Sequence, residues 1–194
     1  MIVFVPNPIL TAPTKAVERI DKKILRVVRE MKTTLVNTKN PKGVGLAAPQ
    51  IGVLYRIFIT RPTQDSPIEV FLNPEIIWLS KEVSEIKRPA STQRGEPEDG
   101  KRSTRKDKKL EGCLSIPNIW GYLKRPSKVK LRYMDLTGTT HEREFSGFTS
   151  TIVQHETDHV NGILFTQRVF EQKEKLYTIE ENEKGEEKLV EVEI

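Results

Sequence analysis

His155-Glu156-Thr157-Asp158-His159 places two imidazoles four residues apart. On an α-helix that spacing stacks them one turn apart on a single face, where both can reach one metal ion. Glu156 between them points in a neighbouring direction and can hold a water beside that ion. This is the layout of a metal-dependent hydrolase. The same pattern also arises by chance on a charged helix with two solvated histidines, so the pentad alone leaves both readings open. The chain has only three histidines and one cysteine. A third ligand therefore has few sources, and Cys113 leads them.

Outward from the pentad, Gly147 precedes the helix and Gly162 stands where a helix would end, which predicts a helix over about 150–161. Upstream, Ser127–Leu136 alternates, with Val129, Leu131 and Tyr133 on one face. Thr137-Gly138 then turns the chain into 139–145, a hairpin pattern. Residues 54–60 and 68–74 are rich in β-branched and aromatic side chains and read as strands. Residues 15–36 carry Val17, Ile20, Ile24, Val27, Val28, Met31 and Leu35 at helical spacing, with Asp21 an N-cap partway along. The tail alternates on both sides of Asn182-Glu183-Lys184-Gly185 and reads as a terminal hairpin. Strands outnumber helices. The expected class is α+β: mixed or antiparallel β-sheets packed around a central metal-binding helix, with one N-terminal helix.

The length of 194 residues suits one domain with a single core. No apolar run is long enough for a membrane span, and the opening MIVFVPNPIL lacks the basic region of a signal peptide. A lone cysteine makes no internal disulfide and fits a reducing cytosol. The net charge of +5 permits a polyanionic neighbour without demanding one. Residues 87–109 contain no Val, Ile, Leu, Met or aromatic residue and are dense in Lys, Arg, Glu, Ser, Pro and Gly. That composition buries nothing and reads as a mobile basic insertion.

Two further motifs stand out. Cys113 sits in Glu111-Gly112-Cys113-Leu114-Ser115, just after the insertion. A lone cysteine is more often a small buried hydrophobe than a ligand, and Gly112 lets the backbone come close to a neighbour. Gly43-Val44-Gly45-Leu46-Ala47-Ala48-Pro49-Gln50 has two glycines two apart. No Gly-Lys-Ser/Thr follows, so it is not a phosphate loop, and it is a poor dinucleotide fingerprint. It reads equally as a loop feeding an Ala-rich buried segment and ending at a surface Gln.

Taken together and in this order, GVGLAAPQ at 43–50, EGCLS at 111–115 and QHETDH at 154–159 resemble the three signature motifs of the peptide deformylase family. The resemblance spans roughly residues 5–170, taking in Asn73-Pro74 and Gly147-Phe148. It implies a metal-dependent hydrolase that removes the N-formyl group from the initiator N-formylmethionine of nascent polypeptides, releasing formate. Cys113, His155 and His159 would hold one divalent metal ion. Fe²⁺ is typical of the family, and Zn²⁺, Ni²⁺ or Co²⁺ suits the same ligands. Glu156 would take a proton from a water at the ion and deliver it to the leaving amine. The Gln50 side-chain amide and the Leu114 backbone N–H match the family's oxyanion stabilisers.

Phe148, Thr151 and Ile152 lie seven, four and three residues before His155, on its helix face. They should line a pocket for an unbranched apolar side chain such as methionine. The resemblance further implies that Gly45 and Gly112 flank the site and offer main-chain groups to an extended peptide. Asp158 is expected to orient the helix or a neighbour rather than bind metal, and His141 to be a solvated strand residue.

The chain departs from compact bacterial members in the insertion at 87–109. It departs from others in its acidic, strand-patterned end at 171–194, where those carry a basic ribosome-docking helix. The expected division is a catalytic domain over 1–170, interrupted by the insertion, and an acidic extension over 171–194. Expected partners are N-formylmethionyl peptides, with the ribosome near its exit tunnel left open. No membrane and no sequence-specific nucleic acid is expected, and the expected location is a bacterial cytoplasm. Two rivals remain at this point: a metallopeptidase cutting internal peptide bonds, and a nucleic-acid or ribosome-binding module that kept the fold.

Overall fold

The computed structural model describes residues 1–38, 42–84, 110–181 and 187–192. The insertion read at 87–109 and the turn at 182–185 lie outside these residues.

Helix α1 spans Lys22–Asn37. The spacing predicts helix from residue 15, but the Asp21 side chain accepts a hydrogen bond from the Ile24 N–H at 2.9 Å and starts the helix there. Val17 is buried for another reason. The Asn73 amide side chain grips its backbone from both sides, Val17 N–H to Oδ1 at 2.7 Å and Nδ2–H to Val17 C=O at 2.8 Å.

The next strands are β1 (Gly45–Ala47), β2 (Ile57–Thr60), β3 (Glu69–Leu79) and the short β4 (Val83–Ser84). After them come β5 (Leu110–Cys113), β6 (Ile116–Tyr122), β7 (Arg125–Pro126), β8 (Lys128–Met134) and β9 (Thr140–Ser146). Helix α2 (Gly147–Val160) carries the pentad, α3 is Phe165–Glu171, and β10 (Leu176–Glu181) pairs antiparallel with β11 (Glu187–Glu191). One sheet has the order β1-β2-β3-β8-β9, a second the order β11-β10-β6-β5, and β4 pairs with β7. Every ladder among the described residues is antiparallel. The class is α+β, as expected. α3 was not anticipated, because its two buried anchors, Phe165 and Val169, are too few to show a helical period.

The five-stranded sheet lies between α1 and α2. Every residue of β2 is buried, and alternation sends its side chains to opposite faces. Ile57 and Ile59 join Val27, Val28, Met31 and Leu35 of α1. Phe58 joins Phe71, Val129, Leu131, Tyr133 and Phe145 against Val153 and Val160 of α2. The Phe58 and Phe71 rings stack at 4.6 Å. The hairpin read from 127–145 forms β8 and β9 in the register Val129↔Phe145, with Val129, Leu131 and Tyr133 inward.

α2 is buried on nearly every side, so its polar residues need partners inside the fold. Gln154 Nε2–H donates to the Pro126 carbonyl at 2.9 Å, and the Thr157 hydroxyl bonds back to the Val153 carbonyl at 2.7 Å. The helix ends in a Schellman motif: the Gly162 N–H donates to His159 C=O and the Ile163 N–H to Asp158 C=O. Gly162 has φ +72°, the left-handed conformation that closure requires. Among the described residues no helix is long and apolar enough to cross a membrane.

Candidate active site

Cys113 ends β5, and His155 and His159 stand one turn apart on α2. Their ligating atoms all lie within 4.8 Å of one another. Cys113 Sγ is 3.1 Å from His159 Nε2. A tetrahedral ion with bonds of the usual length separates sulfur and nitrogen ligands by roughly 3.4–3.6 Å, so this cluster needs only a small adjustment to close on a metal. A thiolate with two imidazoles is also a chemically suitable donor set. Two buried atoms beside it have no hydrogen-bond partner among the described residues, Glu156 Oε2 and His159 Nδ1. These features fit a bound divalent ion.

The other predicted residues converge on the same place. Gln50 is 1 % exposed rather than at the surface. Its Oε1 accepts from the Ala47 N–H at 2.8 Å, which turns the amide nitrogen toward Cys113 Sγ at 3.5 Å and Ser115 Oγ at 3.2 Å. Beside the cluster is a cavity of about 360 Å³, lined in part by Gly45, Gly112, Leu114, Phe148, Thr151 and Ile152. Gln50, Cys113, His155 and Glu156 also face it, whereas His159 does not line it. The glycines are there for space. A Cβ on Gly45 would stand 2.8 Å from the Glu156 carboxyl carbon, and one on Gly112 would stand 2.6 Å from the Trp120 ring.

Electrostatics separate the acid–base groups. Burial pushes the Glu156 carboxyl up to about 7. His159 is held well below the ordinary imidazole value, again by burial. For His155 burial acts in the same direction, but hydrogen bonds to Cys113 and Glu111 outweigh it and hold its pKa well above that value. His155 Nδ1 lies 2.7 Å from Glu111 Oε1. With Nδ1 donating to that carboxylate, Nε2 is the nitrogen left to ligate once a metal ion takes the place of its proton, a common arrangement at histidine–metal sites.

A family profile described as polypeptide deformylase matches residues 1–175. The chain belongs to that family. It is 37 % identical to the peptide deformylase of Borreliella burgdorferi over 164 residues, covering 84 % of this chain and 84 % of that protein. It is 35 % identical to that of Pseudothermotoga lettingae over 159 residues, 82 % of this chain and 76 % of that protein. The solved Plasmodium falciparum peptide deformylase in complex with an inhibitor is similar in fold, with a TM-score of 0.69 and 32 % identity. That likeness covers 89 % of this chain and 92 % of the other.

Within the deformylase fold, several residues escaped the sequence reading. Arg125 is buried against Glu111 and Asp158. Ser115 meets the Gln50 amide. Ile2, Phe4 and Trp120 line the cavity. Ile2 and Phe4 sit in the continuous apolar run Met1–Val5, which has no period to single them out. Asp158 binds Arg125 and Arg168 at 2.9 Å each, consistent with an orienting role. His141 is more than a solvated strand residue: its Nε2 is 2.7 Å from Asp135 Oδ2 and its ring stacks on Tyr133.

Proposed function

We propose that this protein removes the N-formyl group from N-formylmethionyl peptides, releasing formate, with one divalent metal ion held by Cys113, His155 and His159. The observation that carries the reading is the clustering of a thiol and two imidazoles beside a cavity that Cys113, His155, the buried Glu156 carboxyl and the oriented Gln50 amide all line. When bound, the ion supplies a Lewis acid that polarises a carbonyl and acidifies a water to a pKa near about 7. We assign Fe²⁺ as the native ion. The softness of the thiolate suits it, as it also suits Zn²⁺, Ni²⁺ and Co²⁺.

The chain's own groups carry the rest. Water adds its oxygen to the formyl carbon and the C–N bond breaks, so one proton must move from water to the departing amine. Glu156 has a buried, unpartnered carboxylate oxygen to move it. The Gln50 amide, fixed by Ala47, and the Leu114 N–H donate to the oxygen that gains charge. Phe148, Thr151 and Ile152 enclose the methionine side chain, and Gly45 and Gly112 leave room for an extended peptide backbone. The catalytic unit is residues 1–170. The bacterial relatives support a bacterial cytoplasm as the setting, and the basic charge of residues 87–109 is what supports contact with the ribosome.

Formate release from formyl-Met-Ala-Ser tests the reading, using anaerobically prepared protein loaded with Fe²⁺ or Ni²⁺. Glu156→Ala should lower the rate by about 10²- to 10⁴-fold with metal content unchanged. Equal rates for both proteins, or cleavage of an unformylated peptide instead, would point to another chemistry.

A further inference from the structure

We infer that Arg125 is a positioning residue of the metal centre, holding Glu111 so that His155 presents Nε2 to the ion. This rests on the metal reading above. Three charged residues that need water are nonetheless buried here: Glu111 at 4 % exposure, Arg125 at 6 % and Asp158 at 7 %. Arg125 Nε and one terminal nitrogen meet the two Glu111 oxygens at 2.8 and 2.7 Å, while its other terminal nitrogen meets Asp158 Oδ2 at 2.9 Å. The bidentate pair fixes the plane of the Glu111 carboxylate. One of those oxygens, Oε1, is the atom 2.7 Å from His155 Nδ1. Fixing the carboxylate therefore fixes the imidazole.

Chain position makes the contact structural in a second sense. Glu111 lies two residues before Cys113 on β5, and Asp158 directly precedes His159 on α2. Arg125 thus ties the strand that brings the thiol to the helix that brings both imidazoles. Its own strand is anchored by pairing with β4 and by the Pro126 carbonyl, which accepts from Gln154 and Ser150 of α2. Arg168 meets the remaining Asp158 oxygen at 2.9 Å, so two buried anions face two cations. Buried ion pairs are seldom more stabilising than apolar packing of the same volume. What this one supplies is direction, and a lysine, a point charge on a flexible stem, cannot reach both carboxylates in the same geometry.

The test uses the full chain loaded with Co²⁺, its affinity read by chelator competition and its ligand field by visible absorption. Arg125→Lys and Glu111→Gln should weaken Co²⁺ binding about 10- to 100-fold and shift the ligand-field bands, while the thiolate charge-transfer band remains. Glu111→Gln keeps the side chain's shape and carries the test if the arginine variant does not fold. Arg168→Gln, outside the Glu111 pair, should lower Tm but leave affinity and spectrum at wild-type values. The inference is overturned if Arg125→Lys and Glu111→Gln bind Co²⁺ like wild type. It is equally overturned if all three variants weaken binding in step with Tm, since that marks a merely structural pair. Wild-type protein lacking the thiolate band would overturn the metal reading itself.

Discussion

Gly45 does at one residue what Glu156 depends on. With no side chain, it leaves the space the carboxyl occupies. Gly45→Ala should push Glu156 aside and cut formate release by at least about 100-fold, in the range for losing a general acid–base, with the metal still bound. A rate within a few-fold of wild type would show that the carboxyl tolerates displacement. Gln50→Ala should cost on the order of 100- to 1000-fold in kcat, as for an oxyanion donor. At this scale spacing points to His155 and His159 and the scarcity of other ligands points to Cys113, whereas Gln50 enters only through the resemblance of its motif. Arg125 and Ser115 were not readable, because their partners lie far off in sequence and an arginine before a proline looks like surface. Gln50 itself was open to reading as exposed until its bond to Ala47 placed it inside.

Elements are decided by their ends. Gly162 combines φ +72° with an added Cβ only 2.7 Å from the Thr11 carbonyl oxygen. Gly162→Ala should therefore destabilise the protein by at least about 1–2 kcal/mol in urea unfolding, the cost of a left-handed non-glycine residue. In the other long helix, Lys22 opens α1 beside the helix's positive pole. Lys22→Glu should raise stability by about 0.3–1 kcal/mol, and unchanged stability would mean that Asp21 already satisfies that end. The β8–β9 turn depends on Asp135, whose carboxyl is held below its ordinary value by the Thr137 hydroxyl, then by His141 and the Thr137 and Thr139 N–H groups. A lowered carboxyl pKa gives stability that is present above the unfolded value of 3.8 and lost as pH falls below it. The Tm gap between wild type and Asp135→Asn should therefore be open at neutral pH and close in acid. A gap that does not change with pH would assign the effect to shape instead of charge. This hairpin was readable because alternation and a Thr-Gly turn coincide. The Asp21 cap marks the start of α1 correctly, while the apolar spacing runs on to residue 15 because Val17 keeps it while serving a different contact with Asn73.

On the scale of the whole molecule, the ligands come from two parts of the fold: the thiol from the second sheet and the imidazoles from α2, which packs on the first. An ion there links the two halves. Stripping it with a chelator should lower Tm, by the equivalent of about 2.7 kcal/mol where free metal had stood at a hundred times Kd. An unchanged Tm would mean that the sheets hold together without it. The sequence pattern indicated antiparallel pairing but not this strand order, because β3 pairs with β8 across a long gap that no local period records. The burial of α2 on nearly every side, from Ser150 to Val160 apart from His155, has a consequence for motion. Its backbone amides can meet solvent only when the molecule opens globally. In deuterium exchange, the amides of residues 150–160 should be the last to take up label, at the rate set by complete unfolding. The pentad's geometry would then persist unchanged for as long as the fold does, and be lost in a single step with it.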